Sequence, residues 1–146
     1  MPFIKIWIHL IFATKRRERI INKELKPILI NHIIENAKLK NIYIDSINGD
    51  MEHLHILLSP NIEHSISKTV QLIKGESSFW INKNKLTKVN FEWQDDYIAL
   101  SVSESIVPKV RNYIKNQEEH HRRKSFNEEY ELFLDKIEHL AKAENQ

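Results

Sequence analysis

A chain of 146 residues, 41% apolar and 29% charged, has the make-up of one folded domain, 1–146. Two glycines, four prolines and no cysteine exclude collagen-like and low-complexity repeats, a disulfide framework and a thiolate metal site or nucleophile. The net charge of +2 is unevenly spread: residues 1–17, 65–90 and 109–124 are mostly basic, while acids gather at 91–108 and after Ser125, a pattern that leaves a basic face for a polyanion.

From Phe3 to Ala13 apolar residues alternate, which predicts a strand with Ile4, Ile6, Ile8, Leu10 and Phe12 on one face and Lys5, Trp7, His9 and Ile11 on the other. No apolar run here is long enough for a membrane span and no small-residue cleavage site follows, so the expected location is the cytoplasm, with no membrane partner. Lys15-Arg16-Arg17 closes the strand. Helical spacing of Ile30, Ile33, Ile34 and Ala37 predicts a helix over 23–40, with Pro27 tolerated near its first turn. A second strand is expected at 42–47, a hairpin turn at Asn48-Gly49-Asp50, and a third strand at 53–59 closed by Pro60. Ser65 is placed to cap a helix reaching about Asn82, with Ile66, Val70 and Ile73 inward and Gly75 weakening its middle.

After a loop rich in Lys and Asn, 97–103 reads as a fourth strand. Ser105 is placed to cap a third helix to about Arg122, with Pro108 in its first turn. Ser125 and Glu128 have capping-box spacing ahead of a last helix with Tyr130, Phe133, Leu134, Ile137, Leu140 and Ala141 in one stripe. The expected fold class is therefore α+β: a ferredoxin-like β-α-β-β-α-β antiparallel sheet with two additional C-terminal helices.

Two places carry candidate chemistry. His53 and His55 flank Leu54 in the third strand, so both imidazoles project from one face, where a pair of neutral rings can share a divalent ion; the bland alternative is a solvated sheet face. Tyr113 and Gln117 lie one helical turn apart among Lys109, Arg111 and Lys115. A phenol is protonated at neutral pH, and neighbouring cations or a metal-bound phosphate can stabilise its anion. The alternative for Val110, Tyr113 and Ile114 is a plain packing stripe.

Histidine, a bulky hydrophobe and histidine on a strand, followed by a lone helical tyrosine and a glutamine four residues on, resembles the single-tyrosine HUH transposases of small bacterial insertion sequences. The likeness extends through His9-Leu10-Ile11-Phe12-Ala13-Thr14-Lys15, Lys74-Gly75 with Ser77-Ser78, Trp93-Gln94, Ala99-Leu100-Ser101-Val102-Ser103 and Glu119-His120-His121. It departs at Asp95-Asp96, where such proteins commonly have a glycine. The resemblance implies that His53, His55 and Gln117 hold Mg²⁺ or Mn²⁺, and that Tyr113 attacks the scissile phosphate to leave a 5′-phosphotyrosine and a free 3′-hydroxyl. It implies single-stranded DNA with hairpins at the element ends as substrate, no nucleotide cofactor, and a homodimer in which the tyrosine helix of one subunit completes the histidine site of the other.

Lys15, Arg16, Arg17, Lys74 and Arg111 are the candidate phosphate contacts. Trp7 and Trp80 are candidates for stacking on unpaired bases, against core packing as the alternative. Two other functions fit the residues: a domesticated or inactive relative that only binds hairpin or single-stranded nucleic acid, and a metal-dependent phosphodiesterase that uses water and leaves Tyr113 dispensable.

Overall fold

A computed structural model describes residues 2–117 together with Glu128, Glu131 and Asp135. The chain divides into two compact units, 1–115 and 116–146. In the first unit the order is β1 (Trp7–Ala13), α1 (Leu25–Leu39), β2 (Tyr43–Asp50), β3 (His53–Ser59), α2 (Ile66–Lys83), β4 (Ile98–Val102) and α3 (Val107–Lys115). The four strands form one antiparallel sheet in the order β2-β3-β1-β4, the ferredoxin-like arrangement expected. In the second unit Glu128, Glu131 and Asp135 are helical and exposed. The expected stripe from Tyr130 to Ala141 and the Ser125 cap lie outside the described residues. Among the described residues no helix is long and apolar enough to cross a membrane.

Alternation along the two central strands divides their side chains between two layers. Ile8, Leu10 and Phe12 of β1 and Leu54, Ile56 and Leu58 of β3 pack against Leu25, Leu29, Ile33 and Ala37 of α1 and Val70, Ile73 and Ile81 of α2. The buried stripe of α1 thus has a four-residue period, and Ile30 and Ile34, expected inside, are half-buried beside it. The opposite face is covered as well. Trp7, Leu57 and Val102 pack against Val107, Val110 and Ile114 of α3. All seven residues of β1 are therefore buried.

Several element ends differ from expectation, each for a local reason. β1 begins at Trp7 rather than Phe3, because Trp7–Val102 and Ile8–Leu58 are its last cross-strand pairs; Phe3, Ile4 and Ile6 are exposed. The hairpin turn falls at Met51-Glu52, so Asn48-Gly49-Asp50 is strand paired with His55, Leu54 and His53. Gly49 is required there by close approach: a Cβ would overlap the carbonyl oxygen of His53. Ser105 does not cap α3; it lies inside a 3₁₀ turn, Glu104–Ile106, that precedes the helix. Ser65 does cap α2, its Oγ accepting the Lys68 N–H at 3.0 Å.

The loop between α2 and β4 contributes to the core through Phe91 and Trp93. Asn82 fixes it by exchanging two hydrogen bonds with the Phe91 backbone, at 2.7 and 2.9 Å, and Trp93 Nε1 donates to Ser77 Oγ at 3.0 Å. Trp7 is buried, as the packing alternative held. Trp80 is half-buried and stacks on His32, with ring centroids 3.9 Å apart.

The two glycines should respond oppositely to alanine. Gly49→Ala forces β2 and β3 apart and should cost about 1–3 kcal/mol. Gly75→Ala, with open space around its Cβ in the middle of α2, should stabilise by about 0.5–1 kcal/mol. Urea denaturation of both variants beside the parent chain measures the two shifts.

Candidate active site

The strand period places His53 and His55 on the face of the sheet opposite Leu54, and that face is not solvated. Both imidazoles are buried, at 0% and 1% exposure, in the layer covered by α3. Burying an imidazole that lacks polar partners is unfavourable, and each of these rings has one at Nδ1. His53 Nδ1 lies 3.0 Å from Oε1 of Glu52, whose other carboxylate oxygen accepts from Arg19 Nη1 at 3.1 Å. His55 Nδ1 lies 2.9 Å from Nε2 of His9. His9 stands on β1 opposite Leu57, and so is the diagonal neighbour of His55 across the strands. Burial pushes the His9 pKa down to about 3, so His9 is a neutral ring at physiological pH.

Tyr113 is half-buried, its ring centroid 5.5 Å from that of His55 and 6.3 Å from that of His9, edge-on to both. Two polar clamps hold α3 there. Arg111 donates from Nε and Nη2 to the two carboxylate oxygens of Asp45 on β2, both at 2.9 Å. Asn48 Nδ2 donates to the Lys115 carbonyl oxygen at 3.1 Å, satisfying one of the acceptors that a helix C-terminus leaves open. The Arg111 guanidinium, aided by a hydrogen bond from Ser46, holds the Asp45 carboxyl below its ordinary range against the opposing effect of burial. Tyr113 sits between the two clamps in sequence, and it meets the histidines of its own chain.

Gln117 is not on the same helix as Tyr113. α3 ends at Lys115, Asn116 is a turn, and Gln117 is the second residue of the other compact unit. Among the described residues no three His, Asp, Glu or Cys side chains are grouped so as to hold a metal ion. The donor set on the sheet is therefore two imidazoles. Nδ1 of each ring meets a neighbour, so Nε2 is the nitrogen turned away from that contact, and a pair of imidazoles suits a divalent ion completed by oxygen ligands.

The candidate phosphate contacts fall into two groups. Lys15 pairs with Glu92 at 2.8 Å, Arg111 is held by Asp45, and the Lys74 ammonium donates to the carbonyl oxygens of Gln94 and Asp95. Arg16 and Arg17 lie on the exposed 3₁₀ turn after β1, both with left-handed backbones, φ 58° and 52°. For residues with a Cβ that conformation costs roughly 1–2 kcal/mol each.

The sequence reading missed Glu52, His9, Asp45 and Asn48. Strand alternation does place His9 on the histidine face, and that was the available signal. Glu52 had none, because the expected turn was two residues too early to present it.

The family described as "Transposase IS200 like" matches residues 3–117. The ISDra2 transposase TnpA of Deinococcus radiodurans is 27% identical over 115 residues, covering 75% of this chain and 81% of that protein. In fold, the chain is similar to a crystal structure of a candidate transposase from D. radiodurans R1, with a TM-score of 0.63 and 24% identity over 80% of this chain and 93% of that one. It is also similar to a REP-associated tyrosine transposase bound to a REP hairpin, with a TM-score of 0.59 and 17% identity over 83% of this chain and 72% of that one.

The Asp45–Arg111 clamp gives a discriminating test. Asp45→Asn and Arg111→Ala should both loosen α3 on the sheet and let Tyr113 drift from the histidines, seen in NMR as a lost contact between the Tyr113 and His55 rings. Affinity for DNA should change little in either variant. Were Arg111 mainly a phosphate contact, freeing it by Asp45→Asn would tighten binding in a filter assay and leave the Tyr113–His55 contact intact.

Proposed function

The chain belongs to the IS200-like transposase family, and from that premise we propose that it cuts and rejoins single-stranded DNA with Tyr113 as the nucleophile. The observation that carries the reading is Tyr113 held 5.5 Å, ring to ring, from a histidine of a buried imidazole pair. Tyr130 lies outside the described residues. Tyr43 and Tyr97 are at or beside sheet strands, without such a pair.

In the proposed reaction Tyr113 Oη attacks phosphorus and gives up its proton, and the upstream 3′-oxygen leaves and takes one up. The products are a 5′-phosphotyrosine and a free 3′-hydroxyl. Rejoining reverses this: a 3′-hydroxyl attacks the phosphotyrosine and displaces the phenol. One phosphoester is exchanged for another at each step, so no nucleotide cofactor is consumed. His53 and His55 would hold Mg²⁺ or Mn²⁺ through Nε2, and Gln117 as a further ligand rests on the family resemblance alone. When bound, such an ion polarises the scissile phosphate and offsets charge that builds up on its oxygens. The chain's own part is positioning. The strand fixes the imidazoles, the two clamps fix the phenol, and half-burial of Tyr113 leaves its ring accessible to an extended strand.

Binding to DNA hairpins is proposed from the hairpin-bound structural neighbour, with Arg16 and Arg17 as the principal phosphate contacts because their turn is exposed. A homodimer is proposed because excision requires two cuts and each chain supplies one such tyrosine among its described residues.

Tyr113→Phe keeps the ring and removes the oxygen, so covalent DNA–protein adduct and strand transfer should both fall to background. Incubation with end-labelled oligonucleotides and denaturing gels shows this, with the label 3′ of the cut travelling with the wild-type protein. His53→Ala, or a chelator, should abolish cleavage while hairpin binding persists; Mg²⁺ or Mn²⁺ should restore the chelated protein but not the variant. Adduct formed by Tyr113→Phe would overturn the assignment. Light scattering at micromolar concentration should give about twice the chain mass.

A further inference from the structure

We propose that His9 and Glu52 are positioning residues that hold His55 and His53 with the proton on Nδ1, so that Nε2 of each ring is the nitrogen offered to the metal. The inference rests on the proposed metal role of the two histidines. Its basis is the pair of contacts on the buried side of the site: His55 Nδ1 to His9 Nε2 at 2.9 Å, and His53 Nδ1 to Glu52 Oε1 at 3.0 Å.

An ionised carboxylate can only accept, so His53 must donate from Nδ1 to Glu52, and Nε2 is then the nitrogen that can present a lone pair to a metal. Glu52 itself is closely held. Its second oxygen accepts from Arg19, and its backbone oxygen accepts the Thr14 N–H at 2.8 Å. The turn it occupies is fixed by the Ile21 N–H, which donates to the Met51 oxygen at 2.9 Å. The His9–His55 contact joins two imidazoles, one of which must donate. If His55 donates, His9 presents its Nε2 lone pair and carries its own proton on Nδ1. The opposite assignment would make His55 Nδ1 the acceptor and place its proton on Nε2, on the nitrogen required for the metal. Coordination and hydrogen bonding therefore agree in only one tautomer.

Neither residue touches the reacting atoms in this assignment; each acts through the histidine it holds. Truncating such a partner typically weakens metal binding about 10–100-fold. The test uses the full chain labelled with ¹⁵N-histidine and read by long-range ¹H–¹⁵N correlation without metal, followed by Mn²⁺ titration. The expected result is Nδ1–H on both His53 and His55 in the wild type. His9→Phe should shift His55 toward Nε2–H and weaken Mn²⁺ binding about 10–100-fold, and His9→Gln, which restores an oxygen acceptor, should recover most of it. Glu52→Ala should do the same at His53 and leave the His55 tautomer unchanged.

An Nε2–H signal for His55 in the metal-free wild type overturns the inference outright, and this measurement does not depend on any variant folding. A wild type that binds Mn²⁺, with a His9→Phe variant of equal affinity and unchanged tautomer, overturns the inference while the metal reading stands. A wild type with both Nδ1–H tautomers that binds no Mn²⁺ overturns the metal reading, and the inference with it.

Discussion

The packing of α3 onto the second face of the sheet is the contact on which the rest of the site depends. A ferredoxin-like sheet with helices on one side leaves its other face to solvent, and histidines there would be ordinary solvated side chains. Here Val107, Val110 and Ile114 bury against Trp7, Leu57 and Val102. Each such aliphatic side chain contributes about 1.5–3 kcal/mol when fully removed from water. That apolar seam occupies one end of the strands, and the histidines occupy the other. The same contact therefore closes the core and brings Tyr113 beside His55.

Burial then dictates the polar chemistry of the layer. Water is displaced from the imidazoles, so their nitrogens must be served by protein groups, and Glu52 and His9 are where the chain provides them. The charged form of His9 is disfavoured for the same reason. Charge is also used structurally farther out. Arg111, Lys15 and Lys74 lie in the basic stretches of the sequence, yet each is matched to a carboxylate or to backbone carbonyls. Segregation of charge along a sequence therefore overstates the cationic surface, because it cannot show which cations fold back onto the protein.

Much of this was legible in the sequence where a single local rule decided the outcome. β3 falls at 53–59 as expected, because alternation and Pro60 bound it without competition. α2 follows its Ser65 cap. Legibility failed where a distant partner decided. The alternation from Phe3 to Ile6 meets no neighbouring strand, so the pattern alone does not make a strand. Asn48-Gly49 has strong hairpin chemistry, but Gly49 serves the close pairing of β2 with β3, and the chain turns two residues later. Phe91 and Trp93, in a stretch that reads as a polar loop, enter the core because Asn82 and Ser77 fix their backbone and indole. For the site, spacing singles out the two histidines and the tyrosine as candidates, and only the family resemblance gives them roles. Their partners were not, since Glu52, Asp45 and Asn48 act across strands or from a turn.

The two halves of the site are held in different ways, and the difference bears on how a DNA strand can be accommodated. His53 and His55 are on a central strand with neighbours on both sides, where a shift would break ladder hydrogen bonds and core packing together. Tyr113 is on a nine-residue helix, too short to be stable without tertiary contacts. Its placement depends on three buried side chains, the Asp45–Arg111 pair and the Asn48–Lys115 contact. In the proposed reaction a scissile phosphate enters between phenol and imidazoles, and a rigid pair of walls would resist it. The histidine wall has no inexpensive way to yield, whereas α3 can move by loosening polar contacts at its rim. The fold therefore assigns precision to the strand and adjustment to the helix, and the proposed nucleophile is on the side that adjusts.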